Sequence, residues 1–171
     1  MIKIFKKRES GFSLVELLLY MGLLSFLLIV LTRIFTSALD VELESEAGSA
    51  IQQDGNYILA KLTYDIHRAN SISIPSANGG TGSSFRIVIG GENYTYAVDA
   101  SNNLILTNNS GVNTLNSFDS SVPSFSVQRL GNSGKIEDTL KISYTISSRT
   151  NRISGIEASR DFKTTLSLRR Q

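Results

Sequence analysis

The stretch that decides the fold lies at residues 6–16, reads KKRESGFSLVE, and leads directly into a long apolar run. From Leu14 to Thr32 the only charged residue is Glu16. Residues 12–31 form a span of 20 residues, about 30 Å as an α-helix, which is enough to cross the hydrocarbon core of a bilayer. A charge inside such a span costs roughly 2.5–3.5 kcal/mol on insertion scales. Glu16 is therefore a candidate functional residue that needs a partner.

The basic residues are concentrated before the apolar span. Residues 1–11 hold four basic residues and one acidic residue, and Arg33 alone follows the span closely. This asymmetry predicts a single-pass protein of the cytoplasmic (inner) membrane, with its N-terminus inside and everything after residue 35 outside. Without the first 11 residues, the net charge of +2 becomes −1, which argues against a protein that coats nucleic acid.

Two simpler interpretations explain less of this segment. A secretory signal has an apolar core of about 7–15 residues before small residues, and Thr36-Ser37-Ala38 is one such cleavage site. The core here is longer and contains Glu16. A plain signal anchor needs no carboxylate in the bilayer and would gain stability by losing it. Neither interpretation accounts for the glutamate.

Residues 11–17, GFSLVEL, follow a short basic leader and precede an unbroken apolar helix. In this they resemble the class III signal of type IV pilins and of the pseudopilins of type II secretion. The resemblance implies cleavage between Gly11 and Phe12 by a membrane aspartyl prepilin peptidase, followed by N-methylation of Phe12. It also implies that Glu16 acts in assembly into a type IV pilus or a secretion or DNA-uptake pseudopilus.

Simple electrostatics explains why a glutamate would stand at this position. Cleavage frees an α-amino group at Phe12, which is largely cationic near neutral pH and stays charged after methylation. Glu16 lies four residues further along the helix, so it could neutralise the amine of its own subunit or of an adjacent one. Removing one partner of a buried charge pair costs about 3–5 kcal/mol. The alternative to a charge pair is that Glu16 has no role and is simply tolerated at the membrane interface.

The chain departs from the pattern of the major pilins in two ways. Major pilins usually have a proline in the apolar half of the helix, and many have a disulfide loop near the C-terminus. This chain has neither, since it has no cysteine and no proline before Pro75. The missing proline implies a helix that is less melted in the fibre, and the missing disulfide fits a minor subunit or an organism that does not use periplasmic disulfides. Residues 57–69 also resemble the end of the long helix in J-type minor pseudopilins and W-type minor pilins. The resemblance thus implies a minor pilin or pseudopilin, with other pilin subunits as partners.

The remaining pattern predicts an α+β fold of four parts. We expect a leader at 1–11, a transmembrane helix at 12–35, an amphipathic helix continuing it at 36–70, and an antiparallel β-sheet domain at 71–171 packed on the helix. The helix should place Ile58, Leu62 and Ile66 in the core. Because glycine costs about 1 kcal/mol in a helix interior, Asp54-Gly55-Asn56 is a place where the helix could kink or break.

After Pro75 the chain turns to glycine, serine, asparagine and short β-branched runs. Gly90-Gly91 predicts a hairpin turn, residues 99–103 predict a second turn, and the glycine-rich residues 78–83 predict a flexible tip. We expect a single sheet, with strands at 71–74, 85–89, 94–98, 104–106, 124–130, 140–146 and 162–168.

No pattern of catalytic residues is present, and the sequence predicts neither an enzyme nor a cofactor or metal site. His67 is the only histidine and is expected to be structural. Asp99 and its neighbouring asparagines offer too few oxygens for a firm calcium site. A hydrolase stays open without residues to nominate, and the main alternative is a membrane-anchored extracytoplasmic binding domain.

Two charged regions bear on partners. The acidic side chains between Asp40 and Asp54 are expected to form a solvated helix face. Residues 141–171 hold seven basic and two acidic residues, which suits contacts between stacked subunits or weak capture of DNA. The partners implied are therefore prepilin peptidase, other pilin subunits, membrane lipid before assembly and, with little support, DNA. The sequence does not separate pilus, secretion pseudopilus and DNA-uptake filament.

Overall fold

The computed structural model describes residues 13–131, 138–150 and 157–168. These residues form one helix, α1 (Leu14–Arg68), and nine strands. The strands are β1 (Ser71–Ile74), β2 (Thr81–Gly82), β3 (Ser84–Ile89), β4 (Glu92–Val98), β5 (Leu104–Asn108), β6 (Gly111–Thr114), β7 (Ser120–Leu130), β8 (Thr139–Ser148) and β9 (Ser159–Ser167). A long helix followed by antiparallel strands is the α+β architecture that the sequence predicted. The chain divides into two compact units, Met1–Val41 and Glu42–Gln171.

The strands form two antiparallel sheets rather than the single sheet expected. One sheet has five strands in the order β1-β3-β4-β5-β6, and the other has four in the order β2-β7-β8-β9. The sequence interpretation missed β2 and β6. The reason is that β2 has only two residues and all four residues of β6 are exposed, so neither shows the alternation of apolar and polar residues that marks a strand.

Part of the glycine-rich segment at 78–83, which was interpreted as a flexible tip, pairs with this second sheet, since Thr81–Gly82 form β2. The amide of Gly79 donates to the carbonyl of Arg129 at 2.7 Å, and the amide of Arg129 donates to the carbonyl of Gly80 at 2.9 Å. Thr81 then pairs with Gln128 to begin β2. Gly79 has a φ of +79°, a conformation that favours glycine.

Both predicted turns are confirmed. Gly90 and Gly91 connect β3 to β4 with positive φ angles of 59° and 87°, as a two-residue hairpin turn requires. In the second turn, Asp99 Oδ1 accepts hydrogen bonds from the amides of Asn103 at 2.7 Å and Ser101 at 2.9 Å. The hydrogen bonds from Asn103 are the main cause that lowers the pKa of Asp99 below its usual value. The carboxylate of Asp99 therefore stabilises this turn.

The core of the second unit lies between the helix and the sheets. Ile58, Leu62 and Ile66 are fully buried, which confirms the predicted core face of the helix. The ring of Tyr96 stacks on Phe85 with 4.6 Å between centroids. Other buried apolar side chains come from both sheets, among them Ile87, Leu104, Leu106, Val122, Phe125, Val127, Leu140, Ile142 and Ile146.

The helix does not break at Asp54-Gly55-Asn56, where the sequence left a kink or a break open, because α1 continues through these residues. Gly55 serves close packing instead. A Cβ atom there would lie 2.0 Å from Cζ of Phe162, and the carbonyl of Gly55 accepts a hydrogen bond from Tyr144 Oη at 3.0 Å. The rings of Tyr144 and Phe162 stack with 5.2 Å between centroids. Glycine thus allows two aromatic side chains of the second sheet to reach the helix backbone.

Asp54 is buried and does not belong to the solvated helix face that the sequence suggested. Its Oδ2 accepts hydrogen bonds from the amide of Ser117 at 2.9 Å, from Ser117 Oγ at 2.7 Å and from Ser120 Oγ. The Asn116 side chain donates to the carbonyl of Ser120 at 3.0 Å. Because a buried carboxylate requires hydrogen-bond donors, this loop between β6 and β7 is held on the helix by Asp54.

A second buried carboxylate anchors the end of the helix. Asp65 is 1% exposed, forms an ion pair with Lys61 at 3.0 Å and accepts a hydrogen bond from Tyr96 Oη. Burial, followed by the interaction with Asp65, raises the pKa of Tyr96. Tyr96 lies on β4, so the contact fixes the last turns of the helix to the first sheet.

Arg129 connects the two sheets. It lies on β7, and its Nη1 donates to the carbonyls of Ile72 at 3.1 Å and Pro75 at 3.0 Å, at the end of β1. Its Nη2 pairs with Asp138 at 2.6 Å. Charge-assisted hydrogen bonds of this kind are stronger than neutral ones, so one side chain holds β1, β7 and the start of β8 together.

We expect the stability of the folded protein to fall as pH rises from about 10 to 12. Burial raises the pKa of Tyr144 from 10.0 to about 12, so in this window the folded state keeps a proton that the unfolded state releases. Linkage then favours unfolding as pH rises. Thermal unfolding of Tyr144→Phe should show a weaker pH dependence than wild type. Tyr57→Phe, at an exposed tyrosine, is the control, and equal slopes for all three proteins would contradict the argument.

Candidate functional site

The candidate site is the first turn of α1, where Glu16 lies. The amide of Glu16 donates to Ser13 Oγ at 3.2 Å, and the amide of Leu17 donates to the carbonyl of Ser13 at 3.1 Å. Ser13 is therefore the N-cap of the helix. The predicted cleavage pair, Gly11 and Phe12, lies outside the described residues.

Sequence reasoning missed the role of Ser13, although a signal for it was present. Ser13 and Glu16 have the serine-x-x-glutamate spacing of a capping box. In the structure only the serine half of that box is formed, since Glu16 Oε1 accepts its hydrogen bond from Tyr20 Oη at 3.4 Å. Glu16 is exposed, and in the described part of the chain no ion pair involves it. An acidic side chain in the first turn also complements the positive end of the helix dipole.

The rest of the first unit provides a long apolar surface. An 18-residue window of α1 has a mean hydropathy of 2.5 with none of its residues buried, which makes it long and apolar enough to cross a membrane. Polar side chains within it are satisfied locally, because Ser25 Oγ donates to the carbonyl of Met21 and Thr32 Oγ1 donates to that of Leu28, both at 2.8 Å. Such internal hydrogen bonds suit a segment surrounded by hydrocarbon.

Four of the seven basic residues between 141 and 171 lie in the described ranges, and two of them contact other parts of the protein. Arg149 donates to the carbonyl of Ser101 at 2.7 Å, and Arg160 contacts Gln52 of the helix. Lys141 and Lys163 are exposed on neighbouring strands β8 and β9. The other basic side chains, Arg152, Arg169 and Arg170, lie outside the described residues.

His67, which the sequence predicts to be structural, is exposed in the last turn of α1. Among residues 13–131, 138–150 and 157–168, no three His, Cys, Asp or Glu side chains are grouped to hold a metal ion. The site can therefore act through the negative charge of Glu16 and through packing of the exposed apolar part of α1 that carries it.

One family model matches the chain. It is the prokaryotic N-terminal methylation motif, and it covers residues 6–32. That range includes Gly11, Phe12 and Glu16 and most of the apolar span, and it fits anchoring in a membrane. No curated protein and no solved structure matches the chain. These comparisons give no support to DNA or lipid as a partner.

Proposed function

We propose that this chain is a structural subunit of a type IV pilus or of a secretion or DNA-uptake pseudopilus. It carries the N-terminal methylation motif of type IV pilins and pseudopilins. Within such a filament it is a minor pilin or minor pseudopilin. The observation that carries the proposal is the motif at residues 6–32, joined to a helix that exposes its apolar N-terminal half and packs its C-terminal half on antiparallel sheets. Pilins are generally structural proteins without enzymatic activity.

Processing is the first step of the proposal. Prepilin peptidase removes residues 1–11 by cleaving between Gly11 and Phe12, and the new α-amino group of Phe12 is then methylated. This amine is one residue before the N-cap Ser13, so two positive charges, the amine and the helix end, lie close together. Glu16 in the first turn supplies the negative charge that both require.

Assembly is the second step. Before it, residues 12–35 span the inner membrane in contact with lipid, residues 36–70 continue the helix, and residues 71–171 form the β-sheet domain outside. On assembly the apolar helix exchanges lipid for the helices of other pilin subunits, and Glu16 neutralises the amine of its own or of an adjacent subunit. The long Tyr20–Glu16 contact of 3.4 Å is weak, so the carboxylate is available for a stronger partner.

Fractionation of cells tests this proposal. The processed chain, without residues 1–11, should appear in filaments sheared from cells that have prepilin peptidase, and the unprocessed chain should stay in the membrane in cells that lack the enzyme. A Gly11→Val variant should behave in peptidase-positive cells as the wild type does without the enzyme. Recovery of the chain only from membranes in cells that assemble filaments, or of filaments with the leader attached, would overturn the proposal.

A further inference from the structure

The last strand of the second sheet has a free edge. In the strand order β2-β7-β8-β9 only β8 neighbours β9, and in the described part of the chain no strand pairs with the other side of β9. Nine consecutive residue pairs join β8 to β9 without a register shift. The free edge therefore presents a regular row of backbone N–H and C=O groups that can pair with another strand.

The strand β9 lacks several features that protect the other edges of the two sheets. Natural edge strands are commonly short, bulged or interrupted by proline. Among the described strands, β2 has two residues and β6 has four, and β1 has four residues, a register shift and Pro75 directly after it. In contrast, β9 has nine residues and contains no proline or glycine. Its side chains Phe162 and Leu166 are only half buried against the core, so an added strand would cover them.

The charges on the outer face of β9, the face turned away from the core, are complementary to themselves. Asp161 and Lys163 are exposed and two residues apart, so they lie on the same face of the strand. Lys163 forms no ion pair within the described residues, and Asp161 accepts a hydrogen bond from Thr145 Oγ1 at 2.8 Å through Oδ1 alone. If β9 of a second copy pairs antiparallel about Phe162, Asp161 of each copy lies directly opposite Lys163 of the other. Charges that would repel a different strand thus attract this one.

We propose that β9 pairs antiparallel with β9 of a second copy of this chain in this register. A two-fold axis perpendicular to the sheet then passes between the two Phe162 residues, so each contact occurs twice. Ser159 lies opposite Thr165, and an Asp161–Lys163 pair lies on each side of the axis. Aromatic pairs and opposite charges across neighbouring strands stabilise such pairing. The two four-stranded sheets become one continuous sheet.

The position of the helix leaves room for this pairing. The ring of Phe162 on β9 approaches Gly55, and Tyr144 on β8 donates to the carbonyl of Gly55, so α1 lies above the boundary between β8 and β9 at this point. Because neighbouring strands are about 4.8 Å apart, the two helices lie about two strand spacings, or about 10 Å, from each other. Packed helices are typically about 8–10 Å apart. The two-fold rotation reverses directions within the sheet, so the two helices run antiparallel there.

This contact differs from the contacts that build a filament. The pairing requires only the second compact unit, so the inference does not rest on the proposed function. A two-fold contact closes after two copies and cannot propagate along a filament. It also reverses the helix direction, which copies standing side by side in one membrane share. If the chain is a filament subunit, the contact therefore joins copies carried by two different filaments.

Cysteine crosslinking of the full chain in detergent tests this register without background, because the chain has no cysteine. Ser159→Cys and Thr165→Cys each change an exposed residue. Opposite residues of paired strands have Cα atoms about 4.5–5.5 Å apart, which suits a disulfide. Under mild oxidation, a mixture of the two variants should give about tenfold more covalent dimer than either variant alone, in which the two cysteines are about 20 Å apart. Ser126→Cys, at an exposed residue of β7, replaces Thr165→Cys in the control mixture and should give background only.

Charge exchange tests the cause of the pairing. Asp161→Lys in both crosslinking variants should lower the yield of dimer about fivefold, as should Lys163→Asp in both, because each change places like charges opposite each other. Asp161→Lys in one variant and Lys163→Asp in the other should restore the yield, since every lysine then faces an aspartate. Lys141→Asp, at an exposed lysine of β8, controls for charge away from the edge. Thr145→Ala controls for loss of the hydrogen bond to Asp161, and both controls should leave the yield unchanged.

Several results would overturn the inference. These are a mixture of Ser159→Cys and Thr165→Cys that gives no more dimer than the control mixture, and a yield that Asp161→Lys and Lys163→Asp leave unchanged. A third is a crosslink in whole cells from Ser159→Cys to a chain of different mass, which would show that another protein occupies the edge. None of these results affects the proposed function, which depends on recovery of the processed chain from filaments.

Discussion

Replacing Glu16 with valine leaves cleavage after Gly11 intact but lowers incorporation into filaments by about a hundredfold or more. The size follows from the roughly 3–5 kcal/mol cost of leaving one member of a buried charge pair without its partner. In the membrane the same change is tolerated or favourable, because a carboxylate is lost from an apolar span. We therefore expect normal amounts of processed chain in membranes and very little in filaments.

A glutamine at the same position distinguishes the charge from the helix cap. Ser13 caps α1, and glutamine can complete a capping box as well as glutamate can. If charge neutralisation is the role of the side chain, Glu16→Gln should fail in assembly nearly as strongly as Glu16→Val. If capping is the role, Glu16→Gln should assemble like wild type. Glu92→Gln, far from the helix in sequence and exposed, controls for loss of an acidic side chain.

Quantifying the chain in filament and membrane fractions measures both variants. Normal incorporation of Glu16→Val would contradict the charge-pair account. Loss of processing in Glu16→Val would place the role of Glu16 at the peptidase instead.

Replacing Gly55 with valine destabilises the folded protein by about 2 kcal/mol or more. Even a Cβ atom at this position would lie 2.0 Å from Cζ of Phe162, and the ring has little room to move because it stacks on Tyr144. Overpacking of this kind costs typically about 1–3 kcal/mol. For a chain of this size, we expect the midpoint of thermal unfolding to fall by about 4–8 °C, measured on the full chain in detergent.

Gly48→Val is the matched control, since Gly48 lies on the same helix with no atom within 4 Å of an added Cβ. It should change stability by less than about 0.5 kcal/mol. Phe162→Ala in the Gly55→Val background should recover part of the loss, so that the double variant is more stable than the sum of the single effects predicts. If Gly55→Val and Gly48→Val unfold at the same temperature, the close approach of Phe162 to Gly55 does not contribute to stability.

The helix and its core face could be predicted from the sequence because their signals are local and repeated. Ile58, Leu62 and Ile66 recur at helical spacing, and burial of one face follows from that period. The glycine at position 55 carried the opposite signal. Intrinsic propensity indicated a weak point, whereas the structure uses the missing side chain to admit Phe162. That use depends on a residue more than 100 positions away in the chain, which no local pattern reveals.

The division into two sheets was also beyond local patterns. Each long strand alternates in polarity, but alternation does not specify which strands are neighbours. The connection that decides the arrangement is the loop between β6 and β7, and it is held by Asp54 through Ser117 and Ser120. An aspartate in an acidic helical stretch gave no indication that it would be buried.

At the candidate site, the sequence identified those residues that stand out from their local sequence. Glu16 is conspicuous because it is charged in an apolar span, and Gly11 and Phe12 follow from the resemblance. Ser13 and Tyr20, which contact Glu16, are ordinary residues at ordinary positions. Their contributions depend on side-chain geometry in the first turns of the helix, and only the spacing of Ser13 and Glu16 gave a hint.

The central claim is that the mature chain begins at Phe12, since the charge partner of Glu16 exists only after cleavage. Mass spectrometry of the N-terminal peptide from membranes and filaments of cells with active prepilin peptidase tests this directly. We expect a peptide that begins with N-methylated Phe12. A peptide that begins at an intact Met1, or at Leu39 after a conventional signal cleavage, would contradict the account.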